Sequence, residues 1–306
     1  MDLLEQMTTF VRIVEAGSLA AAARQLQMSP AAVSRQLSAL EAKIGTPLLL
    51  RSTRHLAVTD VGREYYGRCM RILREVDDAQ TLARTEQGAT GLLSVSAPVT
   101  YGLARISPLL PTLLAANRGL RIDLRLEDRV IDLVGDGVDV AIRAGIAPPD
   151  SDALVAHVLQ KYGRVVVGSP AYLRRAGEPR EPEGLANHQL LQHLPGSGSA
   201  VRWTFEREGR QVDVVAQATL RTNALAVIYG AAIRGAGLAL LPDWMVDEAV
   251  SAGRLRVVLR KWRTLHVTAY ALHRAELRGA ARVRTFVEAV RRGLSAARGA
   301  ARSTSG

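Results

Sequence analysis

The chain has 306 residues, 48% of them hydrophobic, which is enough for two or three domains that each bury a full core. Its 40 Lys and Arg exceed its 29 Asp and Glu by 11, yet residues 1–90 hold 11 basic against 10 acidic side chains, so overall charge supports nucleic-acid binding only weakly. The lack of a long uncharged apolar run, of a leader sequence and of a second cysteine predicts a cytoplasmic protein without a membrane span or internal disulfide.

Residues 18–45 predict two short helices joined by a tight turn. Ser18 is a good N-cap for the first helix, and Ser29 followed by Pro30 is the start signature of the second. Three apolar residues of the second helix are predicted to face inward: Val33, Leu37 and Leu40. The opposite face suits a DNA major groove, where Arg reads guanine and Gln reads adenine. The predicted DNA contacts of this segment are Ser18, Ser29, Pro30, Ala31, Ala32, Ser34, Arg35 and Gln36.

Residues 46–59 predict two short strands around a polar turn, an arrangement known as a wing. Its arginines, Arg51 and Arg54, are predicted to reach phosphates or the minor groove. Residues 24–54 are locally basic, with five basic side chains against the single acid Glu41. The alternative is an ordinary pair of packed helices in an alanine-rich protein; the wing and the local charge favour a winged helix-turn-helix.

Residues 7–62 resemble the N-terminal domain of the LysR-type transcriptional regulators. The resemblance is carried by FVRIVEAGS at 10–18, AARQL at 22–26, the spaced set Ser34, Leu40, Glu41 and Gly45, LLR at 49–51 and TDVG at 59–62. It implies a DNA-binding domain at 1–59, followed by a linker helix that forms the dimer and by an effector-binding domain.

A long helix is predicted over 60–87, with Thr59 as its N-cap. Its apolar residues recur at spacings of three and four, which is close to a heptad repeat and predicts a partner helix. A second copy of the chain would supply a second DNA-binding domain, and the two domains together would contact both halves of a palindrome. The alternative is packing of this helix on its own chain. The predicted dimer contacts are Val61, Tyr65, Cys69, Ile72, Val76, Ala79 and Ala83.

After a hinge at 88–91 the texture changes to alternating strands and helices, which predicts an α/β domain with a parallel sheet. The predicted strands are 92–96, 120–126, 138–143, 164–167, a short one within 235–241, and 265–272, with a hairpin at 202–207 and 211–216. The predicted helices are 98–117, disturbed by its prolines, 129–135, one opened by SPAYL at 169–173, one capped by Thr222 and Asn223, one starting at Pro242, and 278–293.

This second part resembles the LysR-type effector domain, a two-lobed fold like that of periplasmic binding proteins. The resemblance is carried by GVDVAIRAG at 137–145, VVGSPAYL at 166–173 and GAGLALLP at 235–242. It implies an effector domain over 92–295, with lobe I at 92–162 and 266–295 and lobe II at 163–265. The arginine-rich tail at 296–306 is predicted to be disordered rather than to contact DNA.

Ligands of such sheets bind beyond the carboxyl ends of the strands, between the lobes. The amides at the start of the helix after the first strand, together with Arg143, favour a small anion. Alternative roles are helix capping for Thr222 and Asn223 and an ion pair with Asp139 for Arg143. The predicted effector contacts are Ser96, Ala97, Thr100, Tyr101, Arg143, Gly145, Gly168, Ser169, Thr222, Asn223, Leu241 and Pro242.

The sequence therefore predicts a bacterial regulator that binds a promoter palindrome as a homodimer or homotetramer, responds to a small-molecule effector and acts on RNA polymerase. No catalytic motif, cofactor site or metal site is predicted; His188 and His193 are five residues apart in a loop. Two alternatives stay open: an effector-independent or redox-responsive regulator of the same fold, with Cys69 as its thiol, and a solute-binding module whose DNA-binding domain is degenerate.

Overall fold

The computed structural model describes residues 2–51, 56–82, 89–129, 131–133, 135–145, 153–194, 202–215 and 217–303, with the side chains of 51, 74, 75, 77–82 and 297–303 left out. It contains two compact units. The first is Met1–Leu92 with Gly119–Arg121 and Asp132–Val138, and the second is the rest of the chain.

The first unit begins with three helices, a two-stranded wing and a long helix. These are α1 (Leu3–Ala16), α2 (Leu19–Gln25), α3 (Pro30–Ile44), β1 (Leu49–Arg51), β2 (Leu56–Val58) and α4 (Asp60–Leu82). The predicted caps are confirmed: Ser18 Oγ accepts from the Ala21 amide and Ser29 Oγ from the Ala32 amide, both at 3.2 Å. Thr59 Oγ1 accepts from the Gly62 amide at 2.9 Å.

Helices α1 to α4 share one hydrophobic core. Phe10, Val33, Leu37 and Leu40 are fully buried in it, so the predicted inward face of α3 is confirmed. Strands β1 and β2 pair antiparallel, with Leu49 opposite Val58, which confirms the predicted wing strands. The turn between them lies outside the described residues.

Helix α4 packs part of its apolar stripe on its own chain. Cys69 is fully buried in the core of the first unit, and Tyr65 packs there beside Phe10, with ring centroids 5.8 Å apart. The prediction that Cys69 contacts a partner helix is therefore wrong, because the core of its own chain already covers it. For the half-buried Tyr65 the contact stays a prediction. Val61 and Ile72 remain exposed, by 48% and 38%. Ala79 and Ala83 lie outside the residues whose side chains are described.

The remaining elements are strands and helices, but they do not alternate throughout as the sequence had predicted, because several strands follow one another directly. In chain order they are β3 (Gly91–Ala97), α5 (Val99–Tyr101), α6 (Leu110–Ala116), β4 (Leu120–Leu126), β5 (Val140–Gly145), β6 (Leu154–Tyr162), β7 (Arg164–Gly168), α7 (Pro170–Ala176), β8 (Leu190–His193), β9 (Trp203–Arg207), β10 (Arg210–Val214), β11 (Ala218–Thr222), α8 (Leu225–Ile233), β12 (Leu238–Pro242), α9 (Asp243–Ser251), β13 (Arg256–Val258), β14 (Arg263–Thr264), β15 (Val267–Arg274) and α10 (Ala281–Ser303).

Two five-stranded sheets define the two lobes. The lobe I sheet has the order β4-β3-β5-β15-β6, and the lobe II sheet has the order β11-β8-β12-β7-β13. A smaller sheet, β10-β9-β14, contains the predicted hairpin. The chain passes from lobe I to lobe II at Gly163, between β6 and β7, and returns between β14 and β15.

Both large sheets are mixed, whereas the sequence predicted a parallel sheet. In lobe I, β3 and β5 are parallel, but β15 runs antiparallel to β5 and β6. In lobe II, β8, β11 and β12 are parallel, but β7 runs antiparallel to β12 and β13. This reversal follows from the crossing at Gly163, since β7 starts at the edge where the parallel strands end.

Two local predictions need correction, and a third is confirmed. Residues 131–133 and 135–137 form a turn rather than a helix, closed by the Asp136 amide on the Asp132 carbonyl at 2.8 Å. The segment after β3 is split by a π-helix at Gly102–Ile106 and a 3-10 turn at Ser107–Leu109, as its prolines predicted. Helix α10 continues to Ser303, beyond the predicted start of a disordered tail, because Ala and Arg favour helix.

Candidate functional site

Helix α3 presents an exposed face beyond its cap. Ser29, Pro30, Ala31, Arg35 and Ser38 are exposed, and Ala32 and Ser34 are half-buried. Ser18 is half-buried and spends its hydroxyl oxygen on capping α2. The side chains of this face are therefore small at the N-terminal end of α3 and basic in its middle. Such a shape and charge allow close approach to a DNA groove.

The predicted exposure of Gln36 is wrong. Only 8% of this residue is exposed, and its Oε1 accepts a buried hydrogen bond from Thr9 Oγ1 on α1. The apolar periodicity of α3 could not predict this contact. Gln36 lies on the flank of α3 that α1 crosses, and the periodicity of one helix does not say where a helix distant in sequence will cross it. A role in DNA binding stays a prediction for the other α3 residues.

Glu41, the single acid of the basic segment, has a structural role that the sequence did not indicate. Its Oε1 accepts from the amides of Leu48 and Leu49, at 2.9 and 3.1 Å. The carboxylate therefore holds the first wing strand against the end of α3. The side chains of Arg51 and Arg54 lie outside the described ones, so their predicted contacts stay predictions.

The carboxyl ends of the parallel strands lie at facing edges of the two lobes. Both chain crossings occur at these edges, and they bring the lobes into contact. The Gly163 amide donates to Asp243 Oδ2 at 2.9 Å, and the Asp243 amide donates to the Gly163 carbonyl at 3.0 Å. Trp244 of lobe II lies edge-on to Tyr101 of lobe I, with centroids 5.8 Å apart, and Arg105 Cζ lies 4.9 Å from the Trp244 ring.

On the lobe I edge, Arg143 is held beside the end of β3. Its Nη2 donates to Ser96 Oγ at 2.9 Å and its Nη1 donates to the Ile142 carbonyl at 2.6 Å. Ser96 Oγ in turn donates to Glu127 Oε1 at 3.2 Å. Asp139, the ion-pair partner considered for Arg143, accepts from the buried Ser94 amide at 2.9 Å. The structure thus brings Ser96 and Arg143 together, as predicted for the strand ends.

The helix start after β3 is already occupied by a carboxylate of the chain. Asp128 Oδ1 accepts from the Val99 amide at 3.1 Å, so the prediction of free amides there is wrong for Val99. Ala97 is buried and its carbonyl accepts from the Glu127 amide. Tyr101 is also buried; its hydroxyl donates to Gln160 Oε1 at 3.3 Å, and burial raises its pKa. Thr100 is half-buried beside it and Gly145 is exposed.

Gly168 and Ser169 lie at the wrong edge for an effector contact. Because β7 is antiparallel to β12, its carboxyl end lies opposite the edge formed by Leu241 and Pro242. Ser169 is 3% exposed and its Oγ accepts from the Tyr172 amide, which caps α7. These two predicted contacts are therefore incorrect, and the antiparallel start of lobe II is the reason.

The lobe II edge instead gathers Thr222, Asn223, His193 and Arg164. Thr222 Oγ1 accepts from the Ala224 amide at 3.1 Å, and Ala224 is the N-cap of α8, so Asn223 does not cap that helix. His193 Nε2 donates to the Asn223 carbonyl at 3.0 Å, and burial lowers the pKa of His193. Leu241 and Pro242 lie at this edge but bury their side chains.

Arg164 was missed by the sequence analysis. It begins β7 at the edge that faces lobe I, and burial lowers its pKa. Its Nε is buried and has no hydrogen-bond partner among the described atoms. An arginine at the first position of the strand after a lobe crossing is the signal that could have found it.

Among the described residues, no three His, Cys, Asp or Glu side chains converge to hold a metal ion. No described helix combines the length and apolar content that crossing a membrane requires.

Two family models match the chain, and together they cover most of it. "Bacterial regulatory helix-turn-helix protein, lysR family" matches residues 4–63, and "LysR substrate binding domain" matches residues 86–295. The chain belongs to the LysR family of transcriptional regulators. The family resemblance and the winged-helix and two-lobed fold predicted from the sequence are thereby confirmed.

Relatives match this LysR-type chain over nearly its whole length. It is 32% identical over 292 residues to the transcriptional regulator PtxR of Pseudomonas aeruginosa, covering 95% of this chain and 93% of that one. The activator AaeR of Escherichia coli is 32% identical over 275 residues, with 89% and 88% covered.

Solved structures agree with this relationship. CrgA of Neisseria meningitidis is similar with a TM-score of 0.61 and 30% identity, and the Vibrio cholerae virulence activator AphB with 0.61 and 28%. Both matches cover 95% of this chain and 98% of the other. The chain is a transcriptional regulator with a helix-turn-helix domain and an effector-binding domain.

Proposed function

We propose that this regulator changes promoter output when a small molecule enters the cleft between its lobes. The proposal is supported by the two sheet edges that face each other where the chain crosses between the lobes. The residues at these edges are Arg143, Ser96, Thr222 and Arg164. Ligands of open α/β sheets occupy this position. We also propose a cytoplasmic location, because the promoter DNA that such a regulator binds lies there.

The proposed effector is a small anion. Arg143 comes from lobe I and Arg164 from lobe II. The buried Nε of Arg164 has no hydrogen-bond partner among the described atoms, and an added acceptor would stabilise such a group. The Asp128 carboxylate already accepts from an amide at the start of α5, so its negative charge would repel an anion there. An anionic effector is therefore expected to bind through the arginines rather than through the Val99 amide.

Redox control through Cys69 is disfavoured by its surroundings. The thiol is fully buried, and burial raises its pKa to about 11. Because the thiolate is the reactive form, such a cysteine is inert at neutral pH. The burial of Cys69 therefore favours an effector-responsive regulator over a redox-responsive one.

The proposed assembly is a homodimer, or a tetramer built from it, that reads a palindromic promoter and acts on RNA polymerase. The part of α4 left uncovered by its own chain supports a helix contact, since Val61 and Ile72 are exposed and Val76 is half-buried. Large apolar side chains on one helix face are typical of such seams.

Calorimetric titration of the full chain against a panel of metabolites tests the effector site. We expect at least one small organic anion to bind saturably. Arg143→Ala should weaken it about tenfold or more, as loss of a charge-assisted hydrogen bond does. Arg121→Ala, an exposed arginine on β4, is the control and should bind normally. Binding of neutral or cationic compounds alone, or equal binding by Arg143→Ala, would contradict the site.

A further inference from the structure

A buried hydrogen bond links α3, the second helix of the helix-turn-helix, to α1. Thr9 Oγ1 donates to Gln36 Oε1, across 27 positions of sequence. Thr9 is 2% exposed and Gln36 is 8% exposed, so the bond is shielded from water. Leu37, the next residue on α3, and Phe10, the next on α1, are both fully buried. The polar pair therefore lies within the apolar contact between the two helices.

Such a pair fixes geometry more strictly than apolar contacts do. Apolar contacts have no directional preference, whereas a buried amide carbonyl loses stability as soon as its donor moves away. Nearby on α1, Gln6 is 1% exposed, and its Oε1 has no hydrogen-bond partner among the described atoms.

The rotation of α3 about its axis decides what Arg35 can reach. Arg35 is exposed and adjacent to Gln36, about 100° away around the helix. A rotation of about 10° moves a side chain at the helix surface, about 6 Å from the axis, by about 1 Å. Functional side chains need placement within about 0.5 Å. The Thr9–Gln36 bond resists rotations of this size.

We propose that Thr9 and Gln36 are positioning residues for DNA recognition. Their hydrogen bond sets the rotation of α3 so that Arg35 meets base edges, and Gln36 itself contacts no base. The proposal rests on DNA reading by α3. It replaces the assignment of Gln36 as an adenine reader, and it adds Thr9, which lies outside the helix-turn-helix, to the residues that determine specificity.

The test uses the full-length protein and duplexes selected from a random-sequence library. Affinity for the selected duplex and for a scrambled duplex is measured by fluorescence anisotropy, at a temperature where circular dichroism shows every variant folded. The variants are Thr9→Val, Gln36→Leu, the double variant, Thr9→Ser and Thr8→Val. Thr8 is the matched control, because its hydroxyl donates to the Leu4 carbonyl of its own helix, at 2.8 Å, and not to α3.

Thr9→Val and Gln36→Leu should each weaken binding to the selected duplex about tenfold while binding to the scrambled duplex stays unchanged. The double variant should be no worse than either single variant, since both remove the same bond. Thr9→Ser keeps the hydroxyl and should bind like the parent, as should Thr8→Val. Repeated selection should show weaker preference across the site rather than loss at one base pair.

Other outcomes overturn the proposal. If Thr9→Val lowers thermal stability but binds both duplexes like the parent, the bond is merely structural. If Gln36→Leu loses preference at a single base pair and Thr9→Val does not, Gln36 is a base reader. If Arg35→Ala leaves the selected preference intact, DNA reading by α3 fails and the proposal falls with it. Should Thr9→Val not fold, Thr9→Ala and Gln36→Leu give the same comparison.

Discussion

Two stacked histidines in lobe I couple its stability to pH. His157 on β6 and His273 on β15 approach with 3.1 Å between their Nε2 atoms, and His273 Nδ1 donates to the Arg274 carbonyl at 2.7 Å. At neutral pH one Nε2–H can serve both rings, whereas a second proton would set two donors against each other. Burial lowers the pKa of His157, and His273, Arg291 and Arg278 lower it further.

The sign of the pH effect follows from this lowered pKa. A histidine with a lower pKa in the folded state binds fewer protons when folded, so stability is complete above the unfolded pKa of about 6.5 and is lost as pH falls through the folded pKa. We expect thermal denaturation of the parent to show this loss below pH 6.5, and His157→Gln to reduce it. The exposed His266→Gln should leave the pH profile unchanged; an equal change in both variants would contradict the account.

Residue-level predictions succeeded where the cause was local. Ser18, Ser29 and Thr59 cap their helices because a cap depends on the next three residues alone. Gln36 could not be placed from spacing, since α1 covers its flank of α3. Asp128 was missed for the same reason, because its contact with Val99 joins segments 29 residues apart.

At the level of elements, the start of α4 depends on one glycine. A Cβ on Gly62 would lie 2.1 Å from the Leu48 carbonyl oxygen, in the strand segment that enters the wing. Gly62→Ala should therefore destabilise the DNA-binding domain by about 2–3 kcal/mol or more, as overpacking does. Chemical denaturation of the full chain measures this.

A second glycine of the same helix provides the control. A Cβ on Gly67 would have only one atom within 4 Å, the Gly135 carbonyl oxygen at 3.8 Å. Gly67→Ala should be neutral or stabilise by up to about 1 kcal/mol, since alanine favours helix. Comparable losses in both variants would show that α4 does not approach β1 as described.

We predict that the exposed apolar side of α4 forms the contact between two subunits. Val76→Asp would place like charges across the proposed helix contact and should convert the protein to monomers without unfolding it. Arg68→Asp introduces the same side chain where an exposed ion pair with Glu64 lies, and should leave the assembly intact. Light scattering distinguishes the two; an unchanged mass for Val76→Asp would place the dimer contact elsewhere.

Elements with strong local signals were predicted well and short edge strands were not. The strand at 120–126 has the predicted bounds. Strands β13 and β14, with three and two residues, carry no readable pattern of their own and exist through pairing with β7 and β9. The apolar periodicity of α4 does not by itself say which residues the same chain covers, as it covers Cys69, and which stay exposed, as Ile72 does.

At the scale of the whole molecule, the sequence was sufficient for the family, the two-lobed fold and the order of its parts. It was insufficient for the candidate cleft, because strand direction decides which residues reach it. The antiparallel β7 removed Gly168 and Ser169 from the predicted site and brought in Arg164. Ser96 and Arg143 lie together at one sheet edge, since β3 and β5 are parallel as predicted, and their contact with an effector stays a prediction.

We propose that this chain recognises a specific DNA sequence through the exposed face of α3. The most direct measurement compares the affinity of the parent and of Arg35→Ala for a selected genomic duplex and for its scrambled version, at matched salt. Loss of a bidentate base contact of about 1–3 kcal/mol should weaken binding to the selected duplex by about 5- to 150-fold and affect the scrambled duplex little. Equal weakening on both duplexes, or none on either, would contradict the account.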